Sequence, residues 1–125
     1  MLTLDDAGYL SLATFRKSGD EVRTPVWFAA EGGCYYIFSN GAAGKVKRLR
    51  NSPRARAAPC DVRGKVLGAW RDAQAQLIDN EQEIERAHAA LRRKYGWQMA
   101  LLDFFAGLSG RKRQRVYIAL RFGAM

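Results

Sequence analysis

Short segments of alternating apolar and polar residues, separated by tight turns, constrain the fold of this sequence most strongly. Residues Tyr9–Phe15 (YLSLATF) alternate leucines with small residues, which predicts a half-buried β-strand. Residues 22–30 (VRTPVWFAA) alternate in the same way, and Pro25 predicts an edge position or a bulge. Residues 34–39 (CYYIFS) predict a third strand, and the turn residues SGD and EGG join the three. The N-terminal third therefore predicts an antiparallel meander.

The rest of the chain adds three strands and three helices to this meander. Residues 55–60 and 66–78 predict two further strands, and Arg115–Phe122 (RVYIALRF) predicts the last. A short basic helix follows the third strand and ends before Pro53. The 125 residues fit one domain, 1–125. We predict a mainly β fold with α decoration, in which six strands, mostly antiparallel, form a small β-barrel; closure into a barrel is one way to remove sheet edges.

Two helices are predicted between the fifth and the last strand. Asn80 is a good N-cap, and Glu83 three residues later completes a capping box. Gly96 predicts the end of this helix, because glycine readily takes the left-handed conformation found after helix C-termini. Residues 97–108 predict the second helix, which is rich in leucine and phenylalanine.

The charge balance points to an anionic partner. Lysine and arginine exceed aspartate and glutamate by +9 at neutral pH, which suits nucleic acid, a membrane surface or a phosphate-bearing small molecule. No apolar run approaches the roughly 20 residues that span a bilayer, and the N-terminus has no signal-peptide pattern. Cys34 and Cys60 have neither metal-site nor disulfide-framework spacing. We therefore expect a cytoplasmic protein with two free thiols and no membrane partner.

An unusual cation marks the short basic helix. In the stretch SNGAAGKVKRLRN, Lys45 lies in the first helical turn, where the helix dipole disfavours positive charge. Gly41 and Gly44 precede it and can direct backbone N–H groups into one concavity, so a bound phosphate would explain the lysine. The alternative is a solvated basic helix. The spacing is not that of a Walker loop, since Val46 follows the lysine.

Aromatic residues near cations form the second candidate feature. Arg23 and Trp27 share a face of the predicted second strand. An indole beside a cation could stack a planar ring system, or it could be a barrel rim packed on a neighbouring subunit. Trp70 on the predicted fifth strand is similar. A nucleic-acid partner is not expected, because no RNP, KH or helix-turn-helix signature accompanies the basic charge.

The sequence offers little that could act as a catalyst by itself. His88 is the only histidine, and its place beside an apolar helical stripe favours packing. A histidine-based triad or a multi-histidine metal site is therefore not expected. The basic run RKRQR at residues 111–115 suits a solvated turn or an anion contact. Catalytic chemistry would then come from a bound cofactor.

At this point the residues resemble a known family. The opening strand with LATF, the motif TPVWF, the aromatic strand ending in FSN, and GKVKRLRNSPRARAAPCD together resemble the pyridoxamine 5′-phosphate oxidase-like split β-barrel family. They are most similar to the deazaflavin-dependent oxidoreductase branch, which uses coenzyme F-420. The later stretch ALRRKYGWQMALLDFFAGL is similar to a segment of one subgroup of that branch. The resemblance implies an FMN-binding type of split barrel.

The resemblance also implies a homodimer with two cofactor sites at the subunit interface. In such proteins one segment lines the flavin or deazaflavin ring, another holds the ribityl phosphate, and a third approaches the ring, in part from the partner subunit. The corresponding cofactor-binding residues here are Arg23, Thr24, Pro25, Val26 and Trp27 for the ring; Ser39, Asn40, Gly44, Lys45, Val46 and Lys47 for the phosphate; and Pro59, Cys60, Asp61 and Trp70 near the ring. No catalytic residue and no metal ligand is implied.

The sequence departs from the true pyridoxamine phosphate oxidases. It is shorter, it has only Gly44-Lys45 where they carry two adjacent basic residues, and it lacks their C-terminal substrate-binding segment. We therefore expect an oxidoreductase that transfers hydride between reduced deazaflavin and a small organic acceptor. The alternatives are an FMN-dependent oxidoreductase of the same fold and a non-catalytic flavin- or haem-binding protein.

Overall fold

The computed structural model describes residues 3–109 and 115–122, which form one antiparallel sheet with three α-helices. The elements in chain order are a 3-10 turn at Leu4–Asp6, β1 (Tyr9–Phe15), β2 (Glu21–Val26), β3 (Phe28–Glu31), β4 (Cys34–Asn40), α1 (Gly44–Asn51), β5 (Arg54–Cys60), β6 (Arg71–Ile78), α2 (Glu81–Tyr95), α3 (Trp97–Ser109) and β7 (Arg115–Phe122). The strand order is β2-β1-β5-β6-β7-β4-β3, and all neighbours are antiparallel.

The prediction of six strands is wrong, because the second predicted strand is divided at Trp27 and the sheet has seven strands. Its first half, β2, pairs with β1, and its second half, β3, pairs with β4 at the opposite edge of the sheet. A single residue therefore links the two edges, and the sheet must curl until they meet. In the described part of the chain no backbone ladder joins β2 to β3, so the barrel is not closed by hydrogen bonds.

The side chain of Tyr95 stabilises the break in the strand. Its hydroxyl accepts a hydrogen bond from the backbone N–H of Phe28 (2.9 Å) and lies 2.9 Å from the carbonyl oxygens of Phe28 and Gly8. Pro25, two residues before the break, has no N–H to donate to a ladder. A strand that loses its sheet partner needs other partners for its backbone groups, and Tyr95 supplies them from α2.

Two apolar cores lie on the two faces of the sheet. The barrel interior contains Leu10, Leu12, Phe28, Ile37, Ile118 and Leu120, with Leu49 of α1 reaching into it. The second core lies between the helices and the outer face of β3, β4 and β7, and contains Tyr36, Ala87, Leu91, Met99, Tyr117 and Ala119. The prediction that β1 is half-buried is wrong, because Ser11 and Ala13 on its outer face are buried as fully as its leucines.

The turn predictions are confirmed, but the start of the fifth predicted strand is not. Gly32 and Gly33 have φ of 58° and 81°, as the two-residue turn between β3 and β4 requires. The strand predicted over residues 66–78 begins only at Arg71. The Asp61 carboxylate accepts hydrogen bonds from two later backbone N–H groups (2.9 Å each) and folds residues 61–65 into a turn.

Both ends of α2 are where the sequence placed them. The Asn80 side chain accepts a hydrogen bond from the Glu83 N–H (3.0 Å), and Gly96 ends the helix with φ of 57°. The reciprocal half of the capping box is absent in the described residues, because the Glu83 carboxylate accepts from the Tyr36 hydroxyl instead (2.9 Å). No helix in the described ranges has the length and apolar character needed to cross a bilayer.

Candidate functional site

The division of the strand at Trp27 opens a fork between β2 and β4. The β3–β4 ladder ends at the pair Phe28–Ile37. If it continued, Val26 would pair with Ser39, but Val26 pairs with Leu10 of β1 instead. Two segments that the sequence assigned separately to the ring and to the phosphate, 24–26 and 39–40, therefore lie on the two sides of one fork.

Trp27 lies at the point where the fork begins. Its indole stacks on the Tyr95 ring, with centroids 4.2 Å apart and planes at 7°, and it meets the Phe38 ring edge-on at 6.2 Å. One face of the indole is thus covered by the chain's own helix α2. Arg23, expected beside Trp27, instead lies over the ring of Trp70, with 4.5 Å from the guanidinium carbon to the ring centroid.

The N-terminus of α1, four residues after Asn40, has no capping side chain in the described structure. Its N-cap is Ala43, and its first turn holds no acidic residue. The N–H groups of Val46 and Lys47 bond to the Ala43 carbonyl, whereas those of Gly44 and Lys45 find no acceptor among the described residues. By contrast, α2 has the Asn80 cap and two glutamates in its first turn. The start of α1 is therefore arranged to receive an external anion.

Two half-buried cations lie in α1. Burial lowers the pKa of Lys45, and the positive charge of Arg48 lowers it further. Burial also lowers the pKa of Arg48, with a contribution from Arg16. In the described part of the chain no carboxylate lies within 4.0 Å of either side chain. We call Lys45, Arg48 and the two free N–H groups the α1 cation cluster.

Arg48 folds back toward the start of its own helix. Its Nε donates a short hydrogen bond to the buried Thr14 hydroxyl (2.6 Å). Its guanidinium lies directly over Gly44, where a Cβ would be 2.8 Å from Nη1. Arg48 is not among the cofactor-binding residues that the sequence resemblance implies; the signal that could have found it is the four-residue spacing from Gly44, which places both on one helix face.

The cations around Trp70 are already paired within the chain. The Arg23 and Arg56 guanidiniums lie over the Trp70 ring, 4.5 and 5.1 Å from its centroid. Glu21 bonds to both, at 2.7 and 2.9 Å. Burial alone would raise the pKa of Glu21, but these two hydrogen bonds outweigh it and lower that pKa. Since Arg56 pairs with Asp72 across β5 and β6, this patch lies on the outer face of the sheet, apart from the fork.

Several predicted residues have side chains that are committed to the fold. Val26 and Val46 are buried, so only their backbone groups could meet a ligand. Pro59 and Cys60 are buried as well, and burial raises the pKa of the Cys60 thiol to about 11. The Asp61 carboxylate holds its own turn. Of the residues expected to bind the cofactor phosphate, Lys47 lies on the exposed side of α1.

A cavity of about 330 Å³ adjoins the end of β4, a place where the sequence predicted only a phosphate site. Ser39 and Asn40 form its polar side, and Phe38 with Leu102 and Phe105 of α3 forms its apolar side. The apolar wall was missed because nothing in the local pattern of α3 says which element it faces. An apolar pocket with a few polar groups is the usual setting for a small organic ligand.

The remaining candidates have structural roles. His88 Nε2 lies 2.7 Å from the Asp103 carboxylate and so links α2 to α3. Of the basic run, Arg115 donates to the other Asp103 oxygen (2.6 Å), while residues 111–114 lie outside the described residues. Burial of Asp103 opposes its ionisation, but the bonds from Arg115 and His88 outweigh this and lower the pKa of Asp103.

Comparison with known proteins places this fold. No protein-family model matches the chain, and no curated protein matches it in sequence. Among solved structures, the haem storage protein HutZ of Vibrio cholerae is similar with a TM-score of 0.72 and 16% identity over 96% of this chain and 84% of that one. An F420 reductase is similar with a TM-score of 0.62 and 18% identity over 97% and 90%. A FAD-binding protein of Mesorhizobium loti follows with 0.61 and 14% over 98% and 84%.

The fold is a split barrel. At these identities the likeness shows the fold alone. The unclosed sheet and the fork between β2 and β4 are where the split barrel of this chain is open, and α1 begins beside that opening.

Proposed function

We propose that this split barrel binds a flavin-type cofactor through its phosphate at the α1 cation cluster and acts as an oxidoreductase. The observation that carries the proposal is that two half-buried cations lie beside an uncapped helix N-terminus. In the described residues no carboxylate lies within 4.0 Å of either cation. We infer coenzyme F-420, a deazaflavin, as the cofactor, with FMN as the alternative. The sequence resemblance to the deazaflavin branch and the similarity to an F420 reductase support this order.

The donors at the start of α1 fit a phosphate. Two free N–H groups and the positive end of the helix dipole attract an anion. Arg48 can give two parallel N–H bonds to phosphate oxygens, and Lys45 adds a point charge. A phosphate there would also offset the burial that now lowers the pKa of both cations. The acidic residues that usually occupy a first turn are missing, which leaves this place for a ligand.

The chain's own residues would bind and orient rather than react. A bound deazaflavin or flavin supplies the hydride chemistry. The fork would hold the cofactor between segments 24–26 and 39–40, and the adjoining cavity, with Phe38, Leu102 and Phe105 on its wall, would take a small organic acceptor. Both thiols are buried and His88 is held by Asp103, so we assign no proton transfer to a side chain.

The experiment that tests the phosphate assignment is a titration with FMN and with riboflavin, which lacks the phosphate. Lys45→Ala and Arg48→Ala should each weaken FMN binding by about 10- to 100-fold, the range of about 1.5–3 kcal/mol for a hydrogen bond to a charged group. Neither change should alter riboflavin binding. The control is Lys47→Ala, which removes the same charge from the exposed side of α1 and should change FMN binding less than two-fold. Equal small losses in all three variants would contradict the proposal.

A second titration separates the cofactors. Coenzyme F-420 should bind more tightly than FMN, and protein from a host that lacks deazaflavin should be colourless or nearly so. A yellow protein with stoichiometric FMN that added deazaflavin does not displace would favour FMN. Tight binding of haem without binding of either flavin would favour a storage role, in line with the similarity to HutZ.

A further inference from the structure

Arg115 faces the cavity at the end of β4, in addition to its bond with Asp103. It pairs with Asn40 at the end of the β4–β7 ladder, which places it beside the polar side of that cavity. Its side chain is 8% exposed, and its guanidinium carbon lies 4.7 Å from the centroid of the Phe38 ring. Among the described residues that line the cavity, Arg115 alone carries a charge. The cavity assigned above to the organic acceptor therefore contains one cation that is largely removed from water.

The bond to Asp103 leaves most of the Arg115 guanidinium free to bind a ligand. An arginine has five N–H donors, and Asp103 accepts from one of them, on Nη1 (2.6 Å). The Tyr117 hydroxyl lies near a second one, and the others remain. The Asp103 carboxylate is also shared, because its other oxygen lies 2.7 Å from His88 Nε2. Asp103 therefore fixes the guanidinium in place without covering it.

The other polar groups of the cavity also leave donors free. The Asn40 side-chain oxygen accepts from the Ala42 N–H (2.8 Å), so the part of this amide that remains is the donor NH₂ group. The hydroxyls of Ser39 and Ser109 each donate to a backbone carbonyl at 3.3 Å. No carboxylate is among the described residues that line the cavity. Since unpaired donors in a partly buried site are costly, this arrangement favours a ligand with acceptor oxygens.

The rest of the lining limits the size and character of that ligand. Phe38, Leu102, Phe105 and Ala106 are apolar and complete the wall. The volume of about 330 Å³ is at the small end of the roughly 300–1,000 Å³ found for ligand sites. A planar guanidinium binds a carboxylate with two parallel N–H bonds, which makes a carboxylate the acceptor group that suits Arg115 best. The cavity therefore suits a small carboxylic acid with an apolar body.

We propose that Arg115 binds the carboxylate of the organic acceptor, and that the acceptor is a small carboxylic acid whose body is an aryl or similar apolar group. Arg115 is then the residue that determines specificity for a charged over a neutral acceptor. The site differs from the cofactor phosphate site, because neither Lys45 nor Arg48 lines this cavity. Calling the ligand the acceptor rests on the proposed function, whereas the carboxylate site itself does not.

The experiment is a calorimetric titration of the cofactor-free protein at pH 7.5 with benzoate and with benzamide. The two molecules have nearly the same size and shape, but only benzoate carries a charge. Benzoate should bind, and benzamide should bind about ten-fold or more weakly, because hydrogen bonds to charged groups are the stronger ones. Since no cofactor is present, this result does not depend on turnover.

Variants of β7 assign the difference to one side chain. Arg115→Gln should lower the affinity for benzoate by about 10- to 100-fold and change the affinity for benzamide less than about two-fold. The matched control is Arg121→Gln, which removes the same charge from an exposed position on the same strand and should change neither affinity. If Arg115→Gln does not fold because Asp103 loses its ion pair, the double variant Arg115→Gln/Asp103→Asn removes both charges and should show the same loss of benzoate binding.

Three outcomes would overturn the proposal. The first is a wild type that binds benzoate no more tightly than benzamide, or does not bind benzoate at 10 mM. The second is a benzoate affinity that Arg115→Gln changes less than two-fold. The third is a loss of FMN binding in Arg115→Gln as large as that in Lys45→Ala, with riboflavin binding unchanged, which would assign Arg115 to the cofactor phosphate.

Failure of the proposed function would be seen separately. If neither FMN nor coenzyme F-420 binds, the oxidoreductase proposal fails, and benzoate binding that depends on Arg115 would still confirm the carboxylate site. If both Lys45→Ala and Arg48→Ala weaken FMN binding as expected but Arg115→Gln leaves benzoate binding unchanged, the carboxylate site is wrong and the proposed function stands.

Discussion

The replacement Tyr95→Phe tests whether one hydroxyl holds the divided strand together. The hydroxyl accepts from the Phe28 N–H and has two carbonyl oxygens, of Phe28 and Gly8, at 2.9 Å. It has a single hydrogen, so it donates to one of them at a time. The phenylalanine keeps the stack on Trp27 and removes only the hydrogen bonds.

The magnitude follows from the groups left without partners. One N–H and one carbonyl at the strand break lose their bond, and each costs about 1–3 kcal/mol when it is buried. Because this region is only partly buried, we expect Tyr95→Phe to lower the free energy of unfolding by about 2–3 kcal/mol. The control Tyr36→Phe removes a single hydrogen bond to the Glu83 carboxylate. That carboxylate still has Arg121 as a partner at 3.5 Å, so the substitution should cost about 1 kcal/mol.

Equilibrium urea unfolding followed by tryptophan emission measures both variants. The slope of the unfolding free energy against urea concentration should stay at the wild-type value. The loss of stability should then appear as a lower urea concentration at the midpoint of unfolding. A second readout is alkaline pH. Burial raises the pKa of Tyr95 to about 12, whereas an unfolded tyrosine ionises near 10. The unfolded state therefore loses its proton first, wild-type stability falls as the pH rises from about 10 to 12, and Tyr95→Phe should reduce that fall. A loss for Tyr95→Phe no larger than that for Tyr36→Phe would refute the reasoning.

Two further predictions concern the α1 cation cluster and the thiols. Gly44→Ala should displace the Arg48 guanidinium, which a Cβ would approach to 2.8 Å, and so weaken FMN binding by about five- to ten-fold, a cost of about 1–1.5 kcal/mol. The control is Gly107→Ala, whose Cβ would meet nothing within 4 Å. It should leave FMN binding unchanged and stabilise the fold by about 0.5–1 kcal/mol. Equal FMN affinity in both variants would show that the position of Arg48 does not matter for binding. Cys34 and Cys60 are buried with raised pKa values, so a thiol reagent at pH 8 should label neither in the native protein and both in denaturant, and fast native labelling would contradict this.

Local patterns in the sequence were sufficient for most of the secondary structure. The bounds of β7 are those predicted, and the Gly32-Gly33 turn, the Asn80 cap and the Gly96 helix end are all present. Each depends on the conformational preference of one or two residues or on a two-residue period. Lys45 was also correctly placed in the first turn of α1, because helix position can be counted along the chain.

What only the tertiary structure decided depends on residues far apart in the chain. Tyr95 meets Phe28 across 67 positions, and without that contact nothing in VRTPVWFAA says that the strand divides at Trp27. Arg48 reaches Thr14 across 34 positions, so its place beside Lys45 could not be seen from the helix alone. Periodicity says which residues of a helix share a face, but not which face the rest of the chain covers.

Helix α3 shows this limit most clearly. Its leucines and phenylalanines are exposed, and the side that faces the rest of the chain is the one with Met99 and Asp103. The sequence by itself determined that α3 is a helix and that it is apolar, because both follow from its composition and local propensity. Its inward side carries Asp103, whose ion pair with Arg115 can form only once β7 has joined the sheet, so the local sequence does not reveal which side of α3 faces the rest of the chain.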